Sequence, residues 1–131
     1  MSGVNPSTLV YSGENSLRLF STWLPSQTAN GAGKTIVIVP NRSYLVAGYF
    51  NIVMLYKARA QLYVDFYNAT GQHIGSNITE DSVVDGQYRF ISNSGITPKE
   101  AMFASIYVIV RSTGDDGAGL MFVDSIKFQY Q

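Results

Sequence analysis

Turn residues interrupt this chain at short, regular intervals, and that rhythm limits what it can fold into. Ser12-Gly13, Asn30-Gly31-Ala32-Gly33, Pro40-Asn41, Thr70-Gly71, Asp85-Gly86, Ser94-Gly95 and Gly114 to Gly117 leave only short stretches between them. Those stretches are rich in Val, Ile, Tyr and Phe, the residues that fit a pleated, half-buried surface. Strands are expected at Ser16 to Trp23, Lys34 to Val39, Tyr44 to Val53, Ala60 to Asn68, His73 to Ile78, Gln87 to Ser92, Phe103 to Arg111 and Gly119 to Tyr130. So many short strands in 131 residues predict an all-β sandwich, and the absence of repeats or linker-like composition predicts a single domain over 1–131. One short departure is expected at Thr97-Pro98-Lys99-Glu100, where Thr could cap a single helical turn with Pro in its first position.

Period-two alternation then sorts side chains onto faces. Leu62, Val64 and Phe66 share one side of their strand and are assigned to the core; Tyr63, Asp65 and Tyr67 share the other. Leu17, Leu19, Ser21 and Trp23 oppose Arg18, Phe20 and Thr22, and Tyr44, Val46, Gly48 and Phe50 oppose Ala47, Tyr49 and Asn51. Parity places Trp23 in the core, while its position before Pro25 also allows a platform at a loop. The second face repeatedly mixes aromatic with polar residues where a solvated face would carry Lys, Glu, Thr and Ser. Two readings stay open. Such a face could bind sugar, or it could be structural, covered by loops or by another chain or rich in Tyr for β propensity alone.

Charge narrows the ligand class. Nine Lys and Arg balance nine Asp and Glu, and charged residues make up only 14% of the chain, against about 25% in an average domain. A protein that grips a phosphate backbone needs a clustered basic surplus, so nucleic acid is not expected as a partner. The apolar runs Ile36 to Val39 and Ala101 to Val110 fall far short of the roughly 20 residues of a membrane span, so no membrane is expected either. Met1-Ser-Gly-Val-Asn-Pro6 lacks the basic and then apolar regions of a secretory signal. A neutral polar surface of this kind suits a neutral poly- or oligosaccharide. Flat rings cover the apolar faces of pyranoses, and nearby Arg, Asn and Asp pair with hydroxyls. The face candidates are Arg18, Tyr49, Asn51, Tyr63, Asp65, Tyr67 and Tyr107.

Catalytic signatures are lacking. His73 is the one histidine and there is no Cys, so zinc ligation has no cluster to use. No Gly-x-Ser-x-Gly nucleophile elbow occurs. Gly31-Ala32-Gly33-Lys34-Thr35 resembles a P-loop ending, but Thr28 stands where the first glycine is required. Asp65, Glu80, Asp81 and Asp85 are the carboxylates a glycosidase could pair, and the last three sit in a turn-rich segment that reads as solvated charge. No enzyme is expected.

Five segments, in order, resemble carbohydrate-binding modules of families four, nine and twenty-two: Val10 to Leu19, Val39 to Tyr49, Leu62 to Gly71, Ile96-Thr97-Pro98, and Met121 to Phe128. The resemblance spans almost the whole chain. It implies a β-jelly roll of two antiparallel sheets, galactose-binding-like, that binds saccharide without catalysis. It also implies an extracellular or surface-associated setting within a larger polypeptide or a homo-oligomer. An alternative with the same fold is an assembly or adhesion domain of a phage tail or cell-surface protein. The resemblance further implies a structural calcium ion where the first Ser-Gly loop meets the last strand, with Asp124 matching the first acidic residue and Glu14 and Asn15 offering loop oxygens. The chain departs from the pattern at Ser125, where a second acidic residue is usual, and in an N-terminal strand missing or reduced to Gly3 to Leu9.

Overall fold

The computed structural model describes residues 8–9 and 17–131. Among the described residues nine strands form: β1 (Thr8–Leu9), β2 (Leu17–Leu24), β3 (Ala29–Val37), β4 (Ser43–Tyr56), β5 (Ala58–Tyr67), β6 (His73–Glu80), β7 (Tyr88–Ile96), β8 (Phe103–Ser112) and β9 (Gly117–Tyr130). The first sheet runs β1-β9-β4-β7, with β2 also paired to β9; the second runs β3-β8-β5-β6. All pairings are antiparallel. The two sheets pack as a β-sandwich jelly roll.

The core is what alternation requires. Tyr44, Val46, Phe50 and Ile52 of β4 and Met121, Val123, Ile126 and Phe128 of β9 face Leu62, Val64 and Phe66 of β5 and Ile106, Val108 and Val110 of β8. At about 25 cal/mol per Å² of apolar surface removed from water, this interlayer is the main source of stability. Tyr44 is wholly buried, its ring stacked on Phe128 at 5.5 Å and edge-on to Phe66 at 5.6 Å. Its hydroxyl donates to Asn93 Oδ1 at 3.1 Å and accepts from Asn77 Nδ2 at 2.8 Å. A buried polar tip is tolerated because both partners are supplied. Burial pushes the Tyr44 phenol up from its ordinary value, and the bond from Asn77 offsets part of that.

Three expectations need correction. Trp23 is 77% exposed: a register shift between Ser21 and Leu24, with Trp23 at φ 59°, reverses the alternation, and Leu24 packs on the core instead. Gly31 and Gly33 lie inside β3 rather than in a turn. Thr97 caps no helix. Its buried hydroxyl donates to the Val39 carbonyl at 2.7 Å and accepts from Arg42 N–H at 2.9 Å, while Ala101 N–H closes a turn onto Pro98. The side chain stitches the loop after β3 to the end of β7.

Candidate functional site

The seven face candidates do not share one face. Arg18 on β2 and Tyr49 and Asn51 on β4 point outward from the first sheet, while Tyr63, Asp65 and Tyr67 on β5 and Tyr107 on β8 point outward from the second. The sandwich core separates the two groups.

On the second sheet, cross-strand register builds parallel rows. Gly33, Tyr107, Tyr63 and Ile78 are consecutive partners and form an apolar strip at right angles to the strands. A Cβ on Gly33 would lie 2.2 Å from Tyr107 Cδ1, so the tyrosine ring rests on bare β3 backbone, and only glycine leaves room for it. One neighbouring row is polar: Thr35, Ser105, Asp65 and Ser76. On the other side run Gly31, Ile109, Gln61 and Glu80, and beyond them Ala29, Arg111 and Arg59. Tyr63, Asp65, Tyr107, Ile109, Arg111 and Ala29 line a shallow groove of about 230 Å³.

Each end of this groove carries a held charge. Asp65 Oδ1 accepts from Ser76 Oγ at 2.5 Å and lies 3.2 Å from His73 Nε2, which is also 2.8 Å from Ser76 Oγ. His73 opens β6, where the expected strand begins, and braces the carboxylate. The Tyr67 phenol is pushed up from its ordinary value, chiefly by desolvation and then by the negative charge of Asp65. At the opposite end the Arg111 guanidinium stands 5.8 Å from the Tyr63 ring centroid, in a weak cation–π contact.

The first sheet's outer face differs. Arg18 lies 5.1 Å from the Phe20 ring, and Tyr49 meets Phe90 edge-on at 5.5 Å. A hollow of about 340 Å³ opens over Ala47 and Gly48, bounded by Tyr49, Phe90, Lys127 and Gln129. Asn51 Oδ1 is buried with no hydrogen-bond partner among the described residues.

Glu14 and Asn15 lie outside the described residues. Asp124 stands opposite Tyr49 on β9, where its Oδ1 accepts from Ser125 Oγ at 3.1 Å. Among the described residues no group of three or more His, Cys, Asp or Glu side chains gathers around a common point. Calcium needs six to eight oxygens, and of the three expected ligands only Asp124 lies among the described residues.

Arg111 in the groove, and Arg59, Gln61 and Glu80 in the hollow beside it, lie outside the expected set of face residues. Parity signals them: Gln61 is in phase with Tyr63 and Asp65, and Arg111 with Tyr107.

No family model and no curated protein matches this sequence. Solved structures do match in fold. The CBM22-1 xylan-binding domain from Paenibacillus barcinonensis Xyn10C superposes with a TM-score of 0.61 at 15% identity, over 92% of this chain and 74% of that one. A family 16 carbohydrate-binding module gives 0.61 at 15% identity, over 90% and 78%. Modules of families 4 and 61 match as well. The enzymatically active domain of bacteriophage CBA120 tailspike protein 4 gives 0.65 at 16% identity, over 88% of this chain but only 15% of that one. The fold is therefore that of the β-sandwich carbohydrate-binding modules.

Proposed function

We propose that this chain is a non-catalytic saccharide-binding module, part of a surface or extracellular protein, whose ligand lies across the outer face of the second sheet. The observation that carries the reading is the Gly33-Tyr107-Tyr63-Ile78 strip, flanked by the polar Thr35-Ser105-Asp65-Ser76 row on one side and by Gln61 and Glu80 on the other. A pyranose has an apolar face and a hydroxyl-bearing edge, and a ring laid flat beside Asp65, Gln61 and Arg111 offers both complements. The solved modules of this fold include a xylan-binding domain and one bound to β-1,4-galactotriose, which favours a sugar over other neutral ligands.

Hydrolysis is disfavoured by the spacing of Asp65 in the groove from Glu80 in the adjoining hollow. Asp65 and Gln61 lie four residues apart on β5, and Glu80 pairs with Gln61. At about 3.4 Å per residue the two acids are separated by roughly 14 Å along the sheet, beyond the roughly 5–9.5 Å that retaining and inverting glycosidases use. The deciding experiment is glycan-array screening of the intact chain followed by calorimetry with Tyr107→Ala. Binding lost in the variant supports the site, whereas no binding to any glycan would sink the reading.

A second reading is assembly. Phe20, Tyr49, Tyr88, Phe90 and Ile96 are all exposed on the first sheet's outer face, with Phe90 at 59% and Ile96 at 68%. Exposed apolar area of this kind marks contact surfaces. The tailspike match is a domain within a much longer phage chain, which fits such a role. Sedimentation tests it: an oligomer dissolved by Phe90→Ser supports assembly, and a monomer at high concentration counts against it.

A further inference from the structure

Strands β5 and β8 place Arg59 directly opposite Arg111. Like charges facing each other across a strand pair repel, and among the described residues lining the hollow around them Glu80 is the one carboxylate for two guanidinium groups. Glu80 Oε2 accepts from Arg59 Nη1 at 3.1 Å, and Glu80 Oε1 accepts from Gln61 Nε2 at 3.1 Å. Gln61 is only 7% exposed, and its Oε1 accepts from Arg111 Nε at 3.2 Å. This orientation of the amide is the one that serves both neighbours, since a carboxylate only accepts and a guanidinium only donates. Gln61 therefore passes Glu80's charge to Arg111 only indirectly.

Two consequences follow for Arg111. Its plane is fixed through Nε and flanked by the Tyr63 ring, while Nη1 and Nη2 make no hydrogen bond among the described residues. It also lines both the aromatic groove and an adjoining polar hollow of about 350 Å³ that reaches Gln27, Arg59, Glu80 and Thr113. In the hollow two guanidinium groups face one carboxylate, a local excess of positive charge, while Asp65 stands at the far end of the groove from Arg111. A fixed, unpaired Arg fork suits a planar or tetrahedral oxyanion.

We infer that the saccharide carries an anionic group, a uronate carboxylate or a sulfate ester, and that Arg111 receives it while the sugar ring lies on Tyr107 and Tyr63. This rests on the saccharide reading above, and the test separates the two. An array with neutral, uronate-containing and sulfated glycans is probed with the intact chain. Hits among uronates or among sulfated glycans identify which oxyanion is used. Hits confined to neutral glycans overturn the inference and leave the saccharide reading in place; no hits overturn both. The best acidic oligosaccharide is then titrated beside its carboxyl-reduced or desulfated counterpart. The charged form is expected to bind about tenfold tighter at low salt, as a charge-assisted pair does, with the margin shrinking as salt rises. Arg111→Gln should abolish that margin, while Arg18→Gln on the opposite sheet should preserve it. Equal affinity for the two forms, or a margin that survives Arg111→Gln in a variant with unchanged melting temperature, would overturn the inference.

Discussion

The two outer faces of the sandwich draw on the same residue types and use them differently. On the second sheet, Tyr63, Tyr67 and Tyr107 are half-buried, Tyr107 resting on Gly33, and their polar neighbours bond one another. On the first sheet, Tyr49, Tyr88 and Phe90 stand exposed, and Arg18 and Phe90 find aromatic rather than polar company. Half-buried rings among fixed donors and acceptors present a surface to a small, hydroxyl-rich ligand. Projecting rings gain most when another large surface removes them from water. The lesson is that aromatic content by itself does not define a sugar site; the neighbours that hold each ring do.

Substitutions can break this contrast. The largest effect is expected from Gly33→Val, because even a Cβ would meet Tyr107 Cδ1 at 2.2 Å and the Ile106 carbonyl at 2.7 Å. Displacing the ring should abolish glycan binding and cost about 1–3 kcal/mol of stability, read by calorimetry and urea unfolding; wild-type binding in this variant would mean that the strip is not the site. Tyr107→Ala should weaken binding by about 1–3 kcal/mol, the range of a central aromatic contact, with little change in melting temperature. Its counterpart on the other face, Phe90→Ala, should leave glycan affinity unaltered and remove about 0.5–1.5 kcal/mol of stability with the Tyr49 contact. If Phe90→Ala impaired binding as much as Tyr107→Ala, the assignment of faces would be reversed.

The smallest effect at neutral pH concerns the interior that both faces share. Tyr44 has its pKa raised in the folded chain, so below pH 10 folded and unfolded forms both keep the proton and its stabilising contribution is complete. As pH climbs beyond 10 the unfolded chain ionises first, and stability falls until the folded phenol also titrates. Unfolding free energy followed by denaturant between pH 8 and 11 should decline more steeply in the wild type than in Tyr44→Phe. Parallel curves would place the alkaline loss elsewhere.

Strands and core were legible in the sequence because turn residues and period-two alternation both report local geometry. The candidate site was legible only by halves. Parity tells which side of its own strand Tyr49 or Tyr63 occupies, but not which sheet the strand joins, so two opposite surfaces merged into one expectation. Glycine misled for a related reason: in Gly31 and Gly33 it clears space for Ile109 and Tyr107, a long-range packing demand that looks locally like a turn. Trp23 failed because a one-residue irregularity in β2 inverts every parity beyond it. Arg59 fell outside the expected start of its strand at Ala60, and with it the opposed arginines went unseen.

The seating of Tyr107 on Gly33 also bears on how affinity can be gained. Ordering a mobile side chain at an interface costs about 0.5–1.5 kcal/mol. A ring already confined by the backbone beneath it has few rotamers left to lose, so a ligand settling there meets little entropic opposition from the protein, and even a shallow, open groove can hold a sugar.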